Sequence, residues 1–228
     1  MKQIEKNTVK ADHQLKECDY LSFLNPEGKG KRILVAGNSI CLHGRLDEIG
    51  WSGNWGMAAS CPEKDFVHLL HKAVCEVSPD AVLCIVHVSS WESHYHSGED
   101  YLEKIKGVQA FEPDILIMRA VENCPGENLD RELFYKQYAR LVEFLDPQNQ
   151  AKRIITTSFW HHMLDPETRT YAKEKGYPLV ELGDLGELDE MKAIGLFAHS
   201  GVANHPGDKG MEIIAKRIFD VVKQSLSV

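Results

Sequence analysis

The sequence predicts an α/β fold of the doubly wound type, in which helices cover both faces of a mainly parallel sheet. Short apolar segments rich in β-branched residues alternate along the chain with longer segments of helical periodicity. That alternation is typical of right-handed βαβ crossovers. The chain has 228 residues, 43% of them hydrophobic and 26% charged, which suits one sizeable globular domain.

Five segments are predicted as strands because they are apolar, contain β-branched residues and are bounded by turn-forming residues. They are residues 31–37, 81–88, 113–121, 151–159 and 177–182. Five parallel strands favour the flavodoxin-like strand order. The polar residues 1–30 are interpreted as an N-terminal extension, and residues 31–228 as the domain itself.

Five further segments are predicted as helices because their apolar residues recur at helical spacing. They are residues 60–77, 98–111, 129–145, 166–176 and 207–226. In the first of them, Ser60 and Glu63 form a capping box, and Pro62 fits the first turn, where a missing N–H costs nothing. Gly176 ends the fourth.

Charge and cysteine content narrow the class of protein. The net charge of −8 disfavours binding to nucleic acid and to anionic membrane surfaces. The six cysteines include no CxxC pair, so no structural zinc site is predicted, and we expect all six to be reduced in a cytoplasmic protein. The first 20 residues lack the apolar core of a secretory signal, and no segment is long enough to span a bilayer.

Polar residues and glycines cluster where the predicted strands end, and the site of an open α/β sheet lies beyond the carboxyl ends of its strands. Ser39 follows the first strand, where it could be a nucleophile or cap a turn. Asn123 follows the third strand and could donate to an oxyanion or bond its own turn. Gly56 could approach a ligand closely. His205 precedes the last helix, which Asp208 is placed to cap.

Taken together, these blocks resemble the SGNH (GDSL-like) hydrolase family, which is named for a serine, a glycine, an asparagine and a histidine. The segments VAGNSI, NWGMAAS, RAVEN and GVANHPGDKGM resemble its four blocks, and the resemblance runs from about residue 31 to the end of the chain. It implies that Ser39 is the nucleophile and His205 its general base. It also implies an oxyanion hole made by the N–H groups of Ser39 and Gly56 and the amide of Asn123.

The chain departs from the family pattern at three positions. Asn38 stands where an aspartate is usual, and Val121 stands where the third block usually has a glycine. The family's acid lies three residues before the histidine, and here that position is Val202. A Ser–His dyad is the simplest interpretation, with a backbone carbonyl in the turn 200–203 orienting the histidine. The rival carboxylates are Glu122, Asp184 and Asp208.

The resemblance implies a serine esterase that hydrolyses small acyl esters, such as acetyl esters of a carbohydrate, through an acyl-enzyme. Trp160 follows the fourth strand and could contact the substrate or simply pack. The alternatives are a lipase or thioesterase for longer acyl chains, a non-catalytic binding module, and an FMN or nucleotide binder. The histidines of residues 87–96 and 160–162 lack metal-ligand spacing, so no metal or other cofactor is predicted.

Overall fold

The computed structural model describes residues 20–127 and 129–226, so predictions that concern residues 1–19 lie outside it. Its six strands are β1 (Leu21–Leu24), β2 (Arg32–Gly37), β3 (Val82–His87), β4 (Ile115–Arg119), β5 (Lys152–Thr156) and β6 (Leu179–Val180). They form one sheet in the order β1-β3-β2-β4-β5-β6. The pairs from β3 to β6 are parallel, which confirms the predicted doubly wound, flavodoxin-like sheet, and β1 adds an antiparallel edge strand. That edge strand lies within the segment interpreted as an extension.

The α-helices are α1 (Phe66–Val77), α2 (Ser89–His94), α3 (Arg131–Leu145), α4 (Asp165–Lys175), α5 (Ser200–Ala203) and α6 (Asp208–Leu226). Side chains alternate across the sheet, because successive residues of a strand point to opposite faces. Ile33 and Val35 of β2 pack in a core with α1 and α6. Leu34 and Ala36 pack in a second core with α2, α3 and α4. Both faces of the sheet are therefore covered, as predicted.

Two predicted helices were wrong in their detail. The first begins at residue 66, because Asp65 accepts a hydrogen bond from the His68 N–H at 2.8 Å and is its N-cap. Ser60, predicted as the cap, instead donates to Asp208. The second, predicted at 98–111, is a 3₁₀ helix at Glu103–Phe111. The short α2 directly after β3 was not predicted.

Strand register brings three chain segments together at the edge of the sheet where the parallel strands have their carboxyl ends. Gly37, the last residue of β2, pairs with His87 of β3 on one side and with Arg119 of β4 on the other. The residues that follow these three positions therefore leave the sheet side by side. A side chain at Gly37 would place its Cβ within 2.8 Å of the Arg119 carbonyl oxygen, so this close approach requires glycine. No helix among the described residues is long and apolar enough to cross a membrane.

Candidate active site

Ser39 and His205 are 166 residues apart in sequence and meet at this edge of the sheet. The Oγ of Ser39 lies 2.9 Å from Nε2 of His205. Ser39 lies in the turn after β2, where the Cys41 N–H bonds the Asn38 carbonyl oxygen at 2.9 Å, and His205 lies between α5 and α6. The pair has the separation that a nucleophile and its base require.

The second ring nitrogen of His205 shows which tautomer is present. Its Nδ1 lies 2.7 Å from the carbonyl oxygen of Gly201. Because a carbonyl only accepts, Nδ1 must carry the hydrogen, which leaves the lone pair of Nε2 facing the Ser39 hydroxyl. Burial lowers the pKa of His205 to about 4, while the Gly201 carbonyl opposes that change. The imidazole is therefore neutral near pH 7, and its partner is a carbonyl in the turn 200–203, as the sequence predicted.

None of the three rival carboxylates bonds His205 in the described structure. Asp184 makes a bidentate pair with Arg217, at 2.6 and 2.7 Å. Asp208 accepts from the backbone N–H and the hydroxyl of Ser60, at 2.8 and 2.7 Å, instead of capping its own helix. Glu122 is turned towards the interior, where it meets other partners. In the described geometry, His205 therefore lies between the Ser39 hydroxyl and the Gly201 carbonyl oxygen, with no carboxylate bonded to it.

Trp160 packs directly against the histidine ring. The two rings meet edge to face, with centroids 5.1 Å apart and an interplanar angle of 85°. The indole N–H donates to the Asn204 carbonyl oxygen at 3.1 Å. Trp160 therefore lies beside the Ser39–His205 pair and supports the histidine ring. Trp51 and Trp91 are buried and contribute to packing.

The three expected oxyanion donors differ in their hydrogen-bond partners. The backbone N–H of Ser39 makes no hydrogen bond to another described residue. The Asn123 amide donates to Glu92 at 2.6 Å, which uses only one of its two hydrogens. The N–H of Gly56 donates to Oδ2 of the buried Asp65 at 2.9 Å. Because a backbone amide has one hydrogen, Gly56 would have to leave Asp65 before it could bind an oxyanion.

Close packing explains the glycine at position 56. A Cβ there would lie 2.7 Å from the carbonyl oxygen of Ile40 and 2.9 Å from Cβ of Asp65. Contacts below 3.0 Å are essentially never made by real Cβ atoms. Gly56 thus lets the loop before α1 pack against the segment that carries Ser39, which is a positioning role independent of any contact with substrate.

A buried cluster of charges and amides lies beneath the dyad. Glu92 of α2 is fully buried, and its Oε1 accepts from Asn38 at 2.9 Å and from the Val121 N–H at 2.5 Å. Glu122 accepts from the same Asn38 amide at 2.8 Å, so one amide nitrogen bridges two carboxylates. Arg119 is fully buried and forms an ion pair with Glu122, with Nη1 2.5 Å from Oε1.

The two glutamates of this cluster differ in acidity. Burial, and then the charge of Glu122, raise the pKa of Glu92 above its usual value. Burial alone would also raise the pKa of Glu122, but Arg119 and the N–H donors of Phe159 and Asn38 outweigh burial and lower it. Glu122 is therefore the ionised partner of Arg119, and it was a poor candidate for the missing acid because its charge is already paired.

Val121 has a backbone conformation that valine rarely adopts. Its φ is 130°, in the region that favours glycine, which is the residue usual at this position of the third block. The chain keeps the glycine-like backbone although it carries a β-branched side chain. The 2.5 Å bond from its N–H to Glu92 and its complete burial hold the residue in place.

Sequence reasoning missed Glu92 and Arg119. The rule that sites follow strand ends pointed to the residues after position 88, but that segment drew attention for its histidines and Trp91 and not for Glu92. A glutamate in a tryptophan-containing segment next to a buried strand was the available signal. The histidines of that segment and of residues 160–162 bond elsewhere: His87 lies 3.1 Å from the Leu42 carbonyl oxygen, and His161 lies 3.0 Å from Glu187. Within the described residues, no group of three or more candidate ligands could hold a metal ion.

Comparison with known proteins finds structural neighbours. No protein-family model matches the chain, and no curated protein matches it. A family two carbohydrate esterase from Clostridium thermocellum is similar, with a TM-score of 0.56 and 13% identity over 86% of this chain and 64% of that one. A member of the lipolytic protein G-D-S-L family from Veillonella parvula DSM 2008 has a TM-score of 0.52 and 11% identity, over 85% and 99%.

A two-domain esterase active on acetylated mannans has a TM-score of 0.51 and 13% identity, and the match covers 87% of this chain. The chain matches only 50% of that esterase. Together the neighbours confirm the resemblance predicted from the sequence blocks at the level of the fold. The chain has the fold of the SGNH (GDSL-like) hydrolases.

Proposed function

We propose that the protein is a serine esterase in which Ser39 attacks the ester carbonyl and His205 accepts its proton. The observation that carries this proposal is the 2.9 Å contact between Oγ and Nε2, with the Nδ1 hydrogen held by the Gly201 carbonyl. Only this tautomer leaves a basic nitrogen facing the hydroxyl. The low pKa of His205 keeps that nitrogen unprotonated near neutral pH.

The tetrahedral intermediate needs donors aimed at its negative oxygen. We assign that task to the N–H of Ser39 and to the second hydrogen of the Asn123 amide, with Gly56 as a further donor only if it leaves Asp65. His205 then gives its proton to the leaving alcohol, and water attacks the acyl-enzyme in the same way. A carbonyl at Nδ1 orients the ring but lacks the charge that would stabilise an imidazolium. The step should therefore be slower than with a full triad.

For the substrate, we propose a small acyl ester, such as an acetyl ester of a carbohydrate. Trp160 beside the dyad offers an aromatic surface of the kind that stacks on sugar rings. Two of the structural neighbours are a family two carbohydrate esterase and an esterase active on acetylated mannans. The cytoplasmic location and the division into residues 1–30 and 31–228 stay predictions.

A second candidate, a lipase or thioesterase for longer acyl chains, is favoured by exposed apolar side chains near the same edge. Ile194 and Leu196, 52% and 73% exposed, lie in the loop that leads to His205. Met163, 56% exposed, lies in the loop after Trp160. An acyl chain leaving the dyad could cover such side chains, which an acetyl group would not reach.

Two experiments test these proposals. A fluorophosphonate probe should label the chain, and Ser39→Ala should abolish labelling while Ser97→Ala, at an exposed serine, should not. Undiminished labelling of the Ser39→Ala variant would refute the assignment. Nitrophenyl esters of rising chain length, run beside acetylated sugars, then separate the substrates. Turnover restricted to acetyl esters supports the carbohydrate esterase, a long-chain optimum supports the lipase, and no turnover supports a binding module.

A further inference from the structure

The carboxylate of Glu92 is fully buried and collects three N–H donors from two segments that carry the proposed catalytic groups. Its Oε1 accepts from Asn38, the residue before Ser39, and from the Val121 N–H. Its Oε2 accepts from the Asn123 amide at 2.6 Å. Glu92 lies on α2, which follows β3, and its hydrogen bonds reach the segments that follow β2 and β4, the next two strands on one side of β3. No step of the reaction uses Glu92 directly.

The bond to Asn123 decides how that side chain is presented. Asn123 is otherwise exposed, and an exposed asparagine side chain samples several rotamers. A bond of 2.6 Å to a buried carboxyl oxygen is short, so it selects one rotamer and identifies the nitrogen end of the amide. With one hydrogen on Glu92, the other has a fixed direction. An oxyanion donor is effective only when it is aimed before the charge develops.

The rest of the cluster keeps this carboxylate in place. Asn38 donates to both Glu92 and Glu122, and Arg119 neutralises Glu122. Glu92 is therefore held from the side opposite Asn123, and its position does not depend on Asn123 itself.

We propose that Glu92 is a positioning residue that aims the Asn123 amide at the oxyanion. This inference rests on the proposed esterase function. It predicts that loss of the Glu92 carboxylate impairs the transition state and leaves substrate binding almost unchanged.

The first test is Glu92→Gln, which keeps the shape but places an amide among N–H donors. Misplacing a catalytic group by about 1 Å can cost about 10²-fold, so we expect kcat to fall about 10²-fold. KM should change by no more than about twofold, because the ground-state carbonyl makes little use of the donor. An unchanged kcat in the folded variant would overturn the proposal.

A double-mutant cycle shows whether Glu92 acts through Asn123. If it does, Glu92→Gln should lower kcat by no more than about twofold in an Asn123→Ala background, which is the usual error of additivity. A full further loss in that background would mean that Glu92 acts on Ser39 through Asn38 instead, and the proposal as stated would be wrong.

Asp146→Asn is the matched control for removing a buried carboxylate. Asp146 is buried and pairs with Arg153 at 2.9 Å. It precedes β5, so it lies at the amino end of the parallel strands, whereas the proposed site lies at their carboxyl end. We expect this variant to lose stability and keep its kcat. If Glu92→Gln does not fold, Glu92→Asp keeps the charge and shortens the reach, and we expect an intermediate loss of kcat from it.

One measurement needs no variant of Glu92. In the ¹⁵N-labelled wild-type protein, the Asn123 side-chain amide, assigned by its absence from Asn123→Ala, should show one hydrogen that exchanges slowly with solvent. The exposed Asn149 serves as the reference for a free amide. Equal and fast exchange of both Asn123 hydrogens would contradict the proposal. If the wild-type enzyme turns over no ester, the proposed function fails, and the exchange measurement still reports on the Glu92–Asn123 bond separately.

Discussion

The strained backbone at Val121 predicts that glycine is at least as stabilising as alanine at this position. At most positions the order is the opposite. At most buried positions, glycine is less stable than alanine by roughly 0.5–1 kcal/mol for backbone entropy, and by about 0.8 kcal/mol for the lost methyl group. Val121 has φ 130°, and holding a non-glycine residue in such a region costs about 1–3 kcal/mol. Only glycine removes that cost.

The two effects are of similar size, so they can be set against each other at this one position. Val121→Ala keeps the strain and removes two buried methyl groups. At about 1 kcal/mol for each methyl, it should lower the free energy of unfolding by about 2 kcal/mol. The further step from alanine to glycine should then be neutral or stabilising, because relief of strain offsets the loss of roughly 1.5 kcal/mol.

The assay is urea-induced unfolding of Val121→Ala and Val121→Gly, compared with Val86→Ala and Val86→Gly. Val86 is as buried as Val121, lies in the same hydrophobic core and has an ordinary strand backbone. The alanine-to-glycine step should cost about 2 kcal/mol less at position 121 than at position 86, which is the middle of the expected strain. The same cost at both positions would refute the strain argument.

Two further predictions concern the dyad and the loop beside it. The acidic limb of the plot of kcat/KM against pH should lie near pH 4 instead of near the ordinary histidine value of 6.5, because a lowered pKa keeps His205 neutral as the pH falls. A limb near pH 6.5, in protein that circular dichroism shows to be folded, would contradict this prediction. Gly56→Ala should lower the free energy of unfolding by about 1–3 kcal/mol, because the new Cβ would lie 2.7 Å from the Ile40 carbonyl oxygen. Gly107→Ala, whose Cβ would meet nothing within 4 Å, is the control, and by thermal melting it should be neutral or more stable by up to about 1 kcal/mol.

The sheet could be predicted from the sequence because each strand follows from a local pattern, whereas the pairing of Ser39 with His205 was expected from the resemblance of four separate blocks to one family. Buried parallel strands are continuous apolar runs, and the residue just past each run must lie at the carboxyl edge, which places Ser39 and Asn123 without further information. His205 was recognised because the segment GVANHPGDKGM, which precedes the closing helix, resembles the last block of the family. A backbone carbonyl in the turn 200–203 was one of the partners considered for its Nδ1, because the side chain of Val202 can accept no hydrogen bond.

The buried cluster could not be predicted in this way, because its contacts join residues that are far apart in sequence. Nothing local indicates that Glu92 meets Asn38, 54 positions earlier, or that Arg119 is buried as an ion pair. A helix of six residues after β3 is also too short to show a periodic pattern, so the segment that carries Glu92 was not assigned. Which charged residues are buried depends on the partners that the tertiary structure brings to them. Composition and residue spacing do not indicate those partners.

That pairing explains the most visible departure from the family pattern, the asparagine at position 38. The Oδ1 of Asn38 accepts from the Ile40 N–H at 3.2 Å, and its Nδ2 donates to Glu92 and Glu122 at 2.9 and 2.8 Å. An aspartate here would put a third carboxylate oxygen within 3 Å of two others. In this chain the carboxylates come from the two glutamates, so position 38 must supply the donor.

Asn38→Asp, the substitution towards the usual family residue, should therefore destabilise this protein. Each of the two lost bonds to a charged acceptor is worth about 1.5–3 kcal/mol, so we expect a loss of about 3–6 kcal/mol at pH 8. Repulsion raises the folded-state pKa of the new carboxyl above its unfolded value, so stability is lost as the pH rises through the window between the two values. The loss should accordingly be smaller at pH 5, where a retained proton can bridge two carboxylates.

Asn149→Asp, at an exposed turn residue with φ 54°, is the control for the same chemical change. The measurement is urea unfolding of both variants at pH 5 and pH 8. An Asn38→Asp variant as stable as wild type at pH 8 would show that the buried amide is not required between the two glutamates.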